Sequence, residues 1–403
     1  MKVLQINETC GTGSIGRTTY ELAVELEKRG HEALVAYSNG DSKFHNSVRV
    51  GNNIDHKIHA ILSRITGKQG YYSHIATRKL IDEIKDFKPD IVHLRNLHSN
   101  YINLSLLFRY LAKNDIATVI TLHDCWFYTG KCTYYISANC KKWQVECGNC
   151  PLLHLDNTNP TFWFDKTKKC LNDKKKWLGE IPRLSVVGVS NWVSKEAKNS
   201  IIGNRNPVAI LNWIDLETFH PRTSNLRKQL SLESKFVVLV VATNISKVKG
   251  YEEILYLSNH LPNHWAIITI GKEVEKLPQN VIHIPHTDNA IQLAEYYSMA
   301  DVCLNTTKYE TFGKVTAEAI CCGTPVVVYN NTASPELVNN GCGLVVEQGK
   351  GLEAVIKALE EIEKIGKASF SKNCIEVASK RFAKNVGVDK YIELYQNLVE
   401  YKL

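Results

Sequence analysis

Nowhere in the 403-residue chain is there an apolar run near the ~20 residues that span a bilayer; the longest is Phe236 to Ala242. The opening Met1-Lys-Val-Leu-Gln-Ile-Asn7 reads as a buried strand and lacks the makings of a signal peptide. These two absences lead to the expectation of a soluble, cytoplasmic protein. There, most of its 12 cysteines would be reduced thiols or metal ligands. Low-complexity tracts are missing, as is any internal repeat beyond two similar halves. Acidic residues are scarce in the first half: residues 1–210 hold 29 Lys and Arg against 19 Asp and Glu, whereas 211–403 hold 20 against 22. That imbalance suggests that one lobe meets an anionic partner, such as a membrane surface, a pyrophosphate-linked acceptor or nucleic acid. A solvated basic face would look the same.

What is present is alternation. Val3 to Ile6, Glu32 to Tyr37, Ile91 to Leu94, Ala117 to Leu122 and Ser185 to Val189 read as strands, with helices at Thr18 to Lys28 and Leu80 to Phe87. A second series starts near Asn212. Its strands are Phe236 to Ala242, Trp265 to Ile270, Val281 to Ile284, Val302 to Asn305 and Pro325 to Tyr329; its helices are Glu252 to His260, Ile291 to Met299, Val315 to Cys321 and Leu352 to Ile365. Strands alternating with helices predict parallel sheets in an α/β layer fold. Two Rossmann-like lobes facing a cleft follow, with ligands beyond the carboxyl ends of the strands.

Gly11-Thr-Gly13-Ser-Ile-Gly16 follows a strand and precedes a helix, which is dinucleotide-binding spacing. The second strand ends Ala36-Tyr37-Ser38-Asn39, without the acid that would hold a ribose, which argues against NAD binding and a dehydrogenase. Glu310 and Glu318 stand eight positions apart in Glu310-Thr-Phe-Gly-Lys-Val-Thr-Ala-Glu318, after a strand and across the start of a helix. Two carboxylates there can take sugar hydroxyls as acceptors. Phe312-Gly313 brings backbone amides to a helix N-terminus, where an anion is favoured. A capped surface helix with two solvated acids fits the same pattern.

With Lys249-Gly250, Asn212-Trp-Ile-Asp215, Phe219-x-Pro221 and Thr121-Leu-His123-Asp124 in order, the chain resembles retaining glycosyltransferases of family 4 over nearly its whole length. A subgroup that resembles bacterial colanic-acid, O-antigen and capsule assembly transferases shares Trp126-x-x-Thr129-Gly130-x-Cys132. The resemblance implies a GT-B fold: an acceptor-side domain over 1–210, a nucleotide-sugar-binding domain over 211–385, and a helix at 386–403 returning to the first domain. It implies transfer of a hexose from a UDP- or GDP-sugar to a lipid-linked saccharide, with no metal for catalysis. Glu310 would bind the sugar and Glu318 the ribose. Lys249, with Lys247 or Asn244, would meet the diphosphate, and Phe312 and Gly313 would help hold phosphate or sugar. His123 would attend the reacting sugar, and Gly13 would let the acceptor loop approach. Family members pair the lysine with an Arg about six residues upstream, where this chain reads Thr243-Asn244. A GT-B epimerase and a non-catalytic scaffold remain as alternatives.

Two stretches break the alternation. An insertion at about 126–159 carries Cys132, Cys140, Cys147 and Cys150. Four such thiols fit a structural zinc, two disulfides or buried free thiols; zinc is the expectation carried forward. Phe162-Trp163-Phe164 then leads into Lys166, Lys168, Lys169, Lys174, Lys175 and Lys176. Aromatic rings beside lysines suit an anionic membrane contact over 162–178, at the inner face of the cell membrane. A surface helix anchored by its aromatics competes with that reading. Without a recognised binding fold, nucleic acid is not expected.

Overall fold

The computed structural model describes residues 1–155, 160–273 and 275–400. Positions 156–159 of the expected insertion and 401–403 of the expected last helix lie outside the described residues. The chain divides into two compact units, Met1–Ile210 with Val388–Leu403, and Leu211–Gly387.

The first unit holds strands β1 (Lys2–Ile6), β2 (Glu32–Tyr37), β3 (Ser47–Arg49), β4 (Ile91–Leu94), β5 (Ala117–Leu122), β6 (Leu184–Gly188) and β7 (Val208–Ala209). Between them run α1 (Gly13–Lys28), α2 (Asn53–Thr66), α3 (His74–Phe87), α4 (Leu104–Lys113), α5 (Thr167–Gly179) and α6 (Asn191–Lys198). The strands form one parallel sheet in the order β3-β2-β1-β4-β5-β6-β7. Val3, Leu4, Ile6, Ile91, Val92, Val119 and Ile120 are fully buried, as expected of strands covered on both faces. Asn103 and Ser190 start α4 and α6 by accepting from the Leu106 and Val193 amides.

The second unit holds α7 (Leu226–Gln229), β8 (Phe236–Ile245), α8 (Tyr251–His260), β9 (Trp265–Glu273), β10 (Val281–Ile284), α9 (Ala290–Met299) and β11 (Val302–Asn305). It continues through α10 (Lys314–Cys321), β12 (Val326–Tyr329), α11 (Ser334–Val338), β13 (Gly343–Val346), α12 (Glu353–Ile365) and α13 (Lys367–Val377). Its sheet is also parallel, in the order β10-β9-β8-β11-β12-β13. The last helix, α14 (Lys384–Glu400), belongs to the first unit from Val388 onward. There Tyr391 and Tyr395 are buried: Tyr391 Oη lies 2.8 Å from Thr121 Oγ1, and Tyr395 Oη 2.6 Å from His93 Nδ1.

Each sheet therefore reverses its winding once. In the first, the chain goes from β1 outward to β2 and β3, then returns to β4 on the other side of β1. The second does the same between β8 and β11. In open parallel sheets ligands bind beyond the carboxyl ends of the strands at such a reversal.

Candidate functional site

In the second unit the reversal assembles the expected donor residues. β8 runs into a short turn, Lys247–Lys249, and Gly250 at φ 95° starts α8. A side chain at Gly250 would meet Thr306 Oγ1 at 2.5 Å, so the turn after β8 lies hard against the segment after β11. Lys308 ties the two together: its amide donates to Val248 O at 2.9 Å, and its ammonium pairs with Glu252 at 2.9 Å. Lys249 Nζ then sits 3.1 Å from Glu310 Oε2, with both side chains partly exposed. The Glu310 amide donates to Thr332 Oγ1 at 2.8 Å, which fixes its backbone while the carboxylate stays at the surface.

Gly313, at φ 92°, turns the chain into α10, whose first turn has neither a side-chain cap nor an acid. Its leading amides are therefore open to an anion. A Cβ at Gly313 would come within 3.2 Å of Leu337 Cδ1. Phe312 is buried edge-on against Phe382, 6.2 Å between centroids, so only its backbone is on offer. Glu318 lies one turn into α10 and is nearly buried; Tyr297 donates to its Oε2 at 3.2 Å, and Lys314 Nζ stands 3.9 Å from its Oε1. Burial, and then the Glu318 charge, push the Tyr297 phenol well above its ordinary range, so it stays a donor.

Lys247 is exposed in the same turn as Lys249. Asn244 pairs with Lys272 beyond a bulge in β8 and lines a pocket of about 420 Å³ with Thr243, Gly271, Lys272, His283 and His286. None of its described hydrogen bonds reaches Lys249 or Glu310. Sequence reasoning missed Lys308 and Lys314, although the first stands two residues before Glu310 and the second lies between Glu310 and Glu318. Tyr297 comes from a helix 21 residues upstream of Glu318 and left no signal.

In the first unit the reversal gathers Gly13, Arg95 and His123. Gly13, at φ 67°, opens α1 and would meet nothing within 4 Å if it carried a Cβ, so it borders free space. The helix starts five residues earlier than its apolar spacing predicts, and Gly13 to Gly16 of the glycine loop become its first turn. Arg95 follows β4 and is buried at 2 % exposure. Its Nη1 donates to Thr18 Oγ1 at 3.2 Å and lies 3.5 Å from His123 Nε2, and the group sits 6.0 Å from the centre of the Tyr391 ring. Arg95 Nε and Nη2 have no partner, and no carboxylate among the described residues pairs with it. Burial first, and then the Arg95 charge, push His123 well below its ordinary range, so it is a neutral imidazole. Asp124 pairs with His98 at 2.9 Å.

The insertion brings Cys132, Cys140, Cys147 and Cys150 around one small cavity, beside Lys131 and Trp143. A hydrogen bond from Cys132, then one from the Leu152 backbone and the charge of Lys131, hold the Cys150 thiol down to about 7 against its burial. At their present separations the four are not a closed ligand set: among the described residues no three His, Cys, Asp or Glu side chains stand close enough to hold a metal ion. The 162–178 segment divides. Phe162, Trp163 and Phe164 are exposed, but Trp177 is buried and so is Lys174, whose ammonium donates to Trp126 O at 2.5 Å and covers the Trp126 ring at 4.2 Å. Lys174 is therefore an internal strut and cannot face a membrane. Among the described residues no helix is long and apolar enough to cross one.

Two family models match the two parts of the chain: Glycosyltransferase Family 4 over residues 15–147, and Glycosyl transferases group 1 over residues 222–381. The chain belongs to the GT-B glycosyltransferases. This glycosyltransferase is 25% identical over 325 residues to WcaC of Escherichia coli K12, a protein assigned as a colanic acid biosynthesis glycosyl transferase; the match covers 77% of each chain. It superposes on a Rickettsia africae glycosyltransferase with a TM-score of 0.71 at 15% identity, over 100% of this chain and 99% of that one. Anabaena HepE, solved in complex with UDP-glucose, matches with a TM-score of 0.64 at 17% identity, over 98% and 100%. At such identities the two structures speak for the fold alone.

Proposed function

We propose that this glycosyltransferase moves a hexose from a UDP- or GDP-sugar to a hydroxyl of a lipid-linked saccharide in surface polysaccharide assembly, with retention at the anomeric carbon. It would work in the cytoplasm at the inner face of the cell membrane, with a peripheral membrane contact. The nucleoside diphosphate departs with the bonding electron pair, and the acceptor oxygen takes the sugar and gives up its proton.

The observation that carries the donor half is the Lys249–Glu310 pair at the sheet reversal, beside the uncapped start of α10. When a donor enters, its diphosphate competes for Lys249 and its sugar hydroxyls for Glu310, so the pair is exchanged for two ligand contacts. Lys249 with Lys247, and the Phe312–Gly313 backbone, would stabilise the charge that grows on the leaving group. Glu318 takes the ribose. In the first unit, neutral His123 attends the transferred sugar, and Gly13 gives the acceptor room. Fixed cations and helix amides serve the phosphates, so the reading needs no catalytic metal. That HepE was solved with UDP-glucose supports the donor class, and the assignment of WcaC to colanic acid supports the acceptor class.

The test is a thermal-shift screen of the purified protein against UDP-, GDP- and ADP-sugars, followed by nucleotide release with and without a lipid-linked saccharide. A true donor binds only the folded state and raises its melting temperature. Glu310→Gln should lower transfer at least a hundredfold with little change in melting temperature, and Glu318→Ala should weaken donor binding by about 1.5–3 kcal/mol. Full activity in both variants would sink the donor assignment. Release that ignores the acceptor, with an altered sugar left bound to nucleotide, would point to an epimerase instead.

A further inference from the structure

Helix α2 is amphipathic in the inverted sense. Its buried residues are His56, His59 and Ser63, while Ile54, Ile58 and Ile61 point outward at 68%, 52% and 53% exposure. Those three isoleucines fall at helical spacing on one face. The polar inner face is anchored in place: His56 Nε2 lies 2.9 Å from Val50 O, His59 Nδ1 lies 2.7 Å from Ser73 Oγ, and Asn52 and Asp55 close a capping box. The helix is thus fixed with its apolar stripe toward solvent.

A second segment continues the stripe. The Phe162 amide donates to Arg64 O at 2.8 Å, and Phe164 O lies so near Gly67 that a Cβ there would come within 2.0 Å of it. Phe162, Trp163 and Phe164 are at least half exposed on this ledge, and Ile75, two residues after Ser73, is 69% exposed. Half of the large apolar side chains exposed among the described residues therefore lie in these three short segments. Ordinary soluble surfaces do not gather apolar groups this way.

The flanking charge selects the occupant. Residues 53–79 hold five Lys or Arg, namely Lys57, Arg64, Lys68, Arg78 and Lys79, against the single acid Asp55, which is engaged in the cap. A second copy of the chain would bring the same cations face to face. An anionic bilayer offers what this surface lacks, acyl chains for the isoleucines and phosphates for the cations.

We propose that the outer face of α2, with Phe162 to Phe164, docks on an anionic lipid surface, seating its apolar side chains at the headgroup–acyl boundary. The proposal deepens the lipid-linked acceptor reading by naming the membrane face, and it rests on the surface alone. It also replaces the lysine run of α5 as the main contact.

The test uses the full chain and sedimentation with vesicles of phosphatidylcholine, alone or mixed with phosphatidylglycerol. Binding to the mixed vesicles is expected, weakening as salt rises. The Ile58→Glu/Ile61→Glu variant changes only exposed positions and should bind at least tenfold more weakly, with its melting temperature and its shift by UDP-glucose unchanged. Trp163→Ser should give a smaller loss. Equal vesicle binding by wild type and the double variant overturns the proposal. So does a wild type that ignores vesicles but forms a dimer, seen by light scattering, that the double variant breaks. Failure of donor binding with vesicle binding intact would count against the transferase reading and not against this one.

Discussion

Arg95 is a cation held inside the first unit without a carboxylate, and its position is costly unless function needs it. Arg95→Met should therefore leave stability unchanged or raise it by about 1 kcal/mol. The same change removes the charge that lies 3.5 Å from His123, so the His123 imidazole should titrate at a higher pH, read by NMR, and transfer should fall at least tenfold. A loss of stability above about 2 kcal/mol in urea, typical of a severed buried network, would make Arg95 a structural residue instead. At this scale the sequence is legible where chemistry is local. Glu310 and Gly313 are readable because strand end, turn and helix start lie within ten residues. Arg95 is visible only as a cation after a strand, because its lack of a carboxylate in direct contact is a property of packing. The bulge in β8 just before Asn244 is hidden for a related reason, since no residue type announces it.

Among the elements, central strands are the most legible. Glu32–Tyr37, Ile91–Leu94 and Ala117–Leu122 begin and end at the residues expected from the sequence. Short or half-polar elements escape: β3, with no buried residue, and α2, whose outward isoleucines and inward histidines defeat a rule that puts apolar residues inside. The described part of the Cys insertion holds only three single-turn 3-10 helices, Trp126–Tyr128, Ile136–Ala138 and Lys142–Gln144, too short to read from sequence, and its thiols meet through chain folding. We propose that zinc draws these four thiols together into one tetrahedral site. Metal analysis should then find about one zinc per chain, with the four thiols slow to alkylate until a chelator is added. Zinc-free protein with four reactive thiols would leave four free cysteines there instead. Because Lys174 braces the Trp126 carbonyl beside this insertion, Lys174→Gln should loosen it without touching the second unit.

For the whole molecule, acid is the expected weakness. Burial pushes His59 down to about 3 and holds His93 well below its ordinary range. Folded, both stay neutral as pH falls below about 6.5, while the unfolded chain takes up a proton at each. The unfolded state then binds more protons, so stability present above pH 6.5 is lost on acidification, by up to about 3 kcal/mol per pH unit for the two together. Melting followed between pH 7 and pH 5 should show the first unit giving way before the second. A profile flat to pH 5 would contradict the burial of these two rings. The order of the two halves, each a wound parallel sheet, is readable from alternation alone. That the last helix closes the first unit is not, because its tyrosines meet His93 and Thr121 some 300 and 270 residues away in the chain.

That closure has a consequence for synthesis. A ribosome delivers β1 to β7 long before it delivers Tyr391 and Tyr395. Until then His93 on β4 lacks the phenol it will later bond, and Thr121 on β5 lacks its partner Tyr391. The second unit, Leu211–Gly387, is continuous and can finish folding as it emerges. The half that is made first is thus completed last, and a nascent chain halted before residue 388 would hold a finished second unit and an unfinished first.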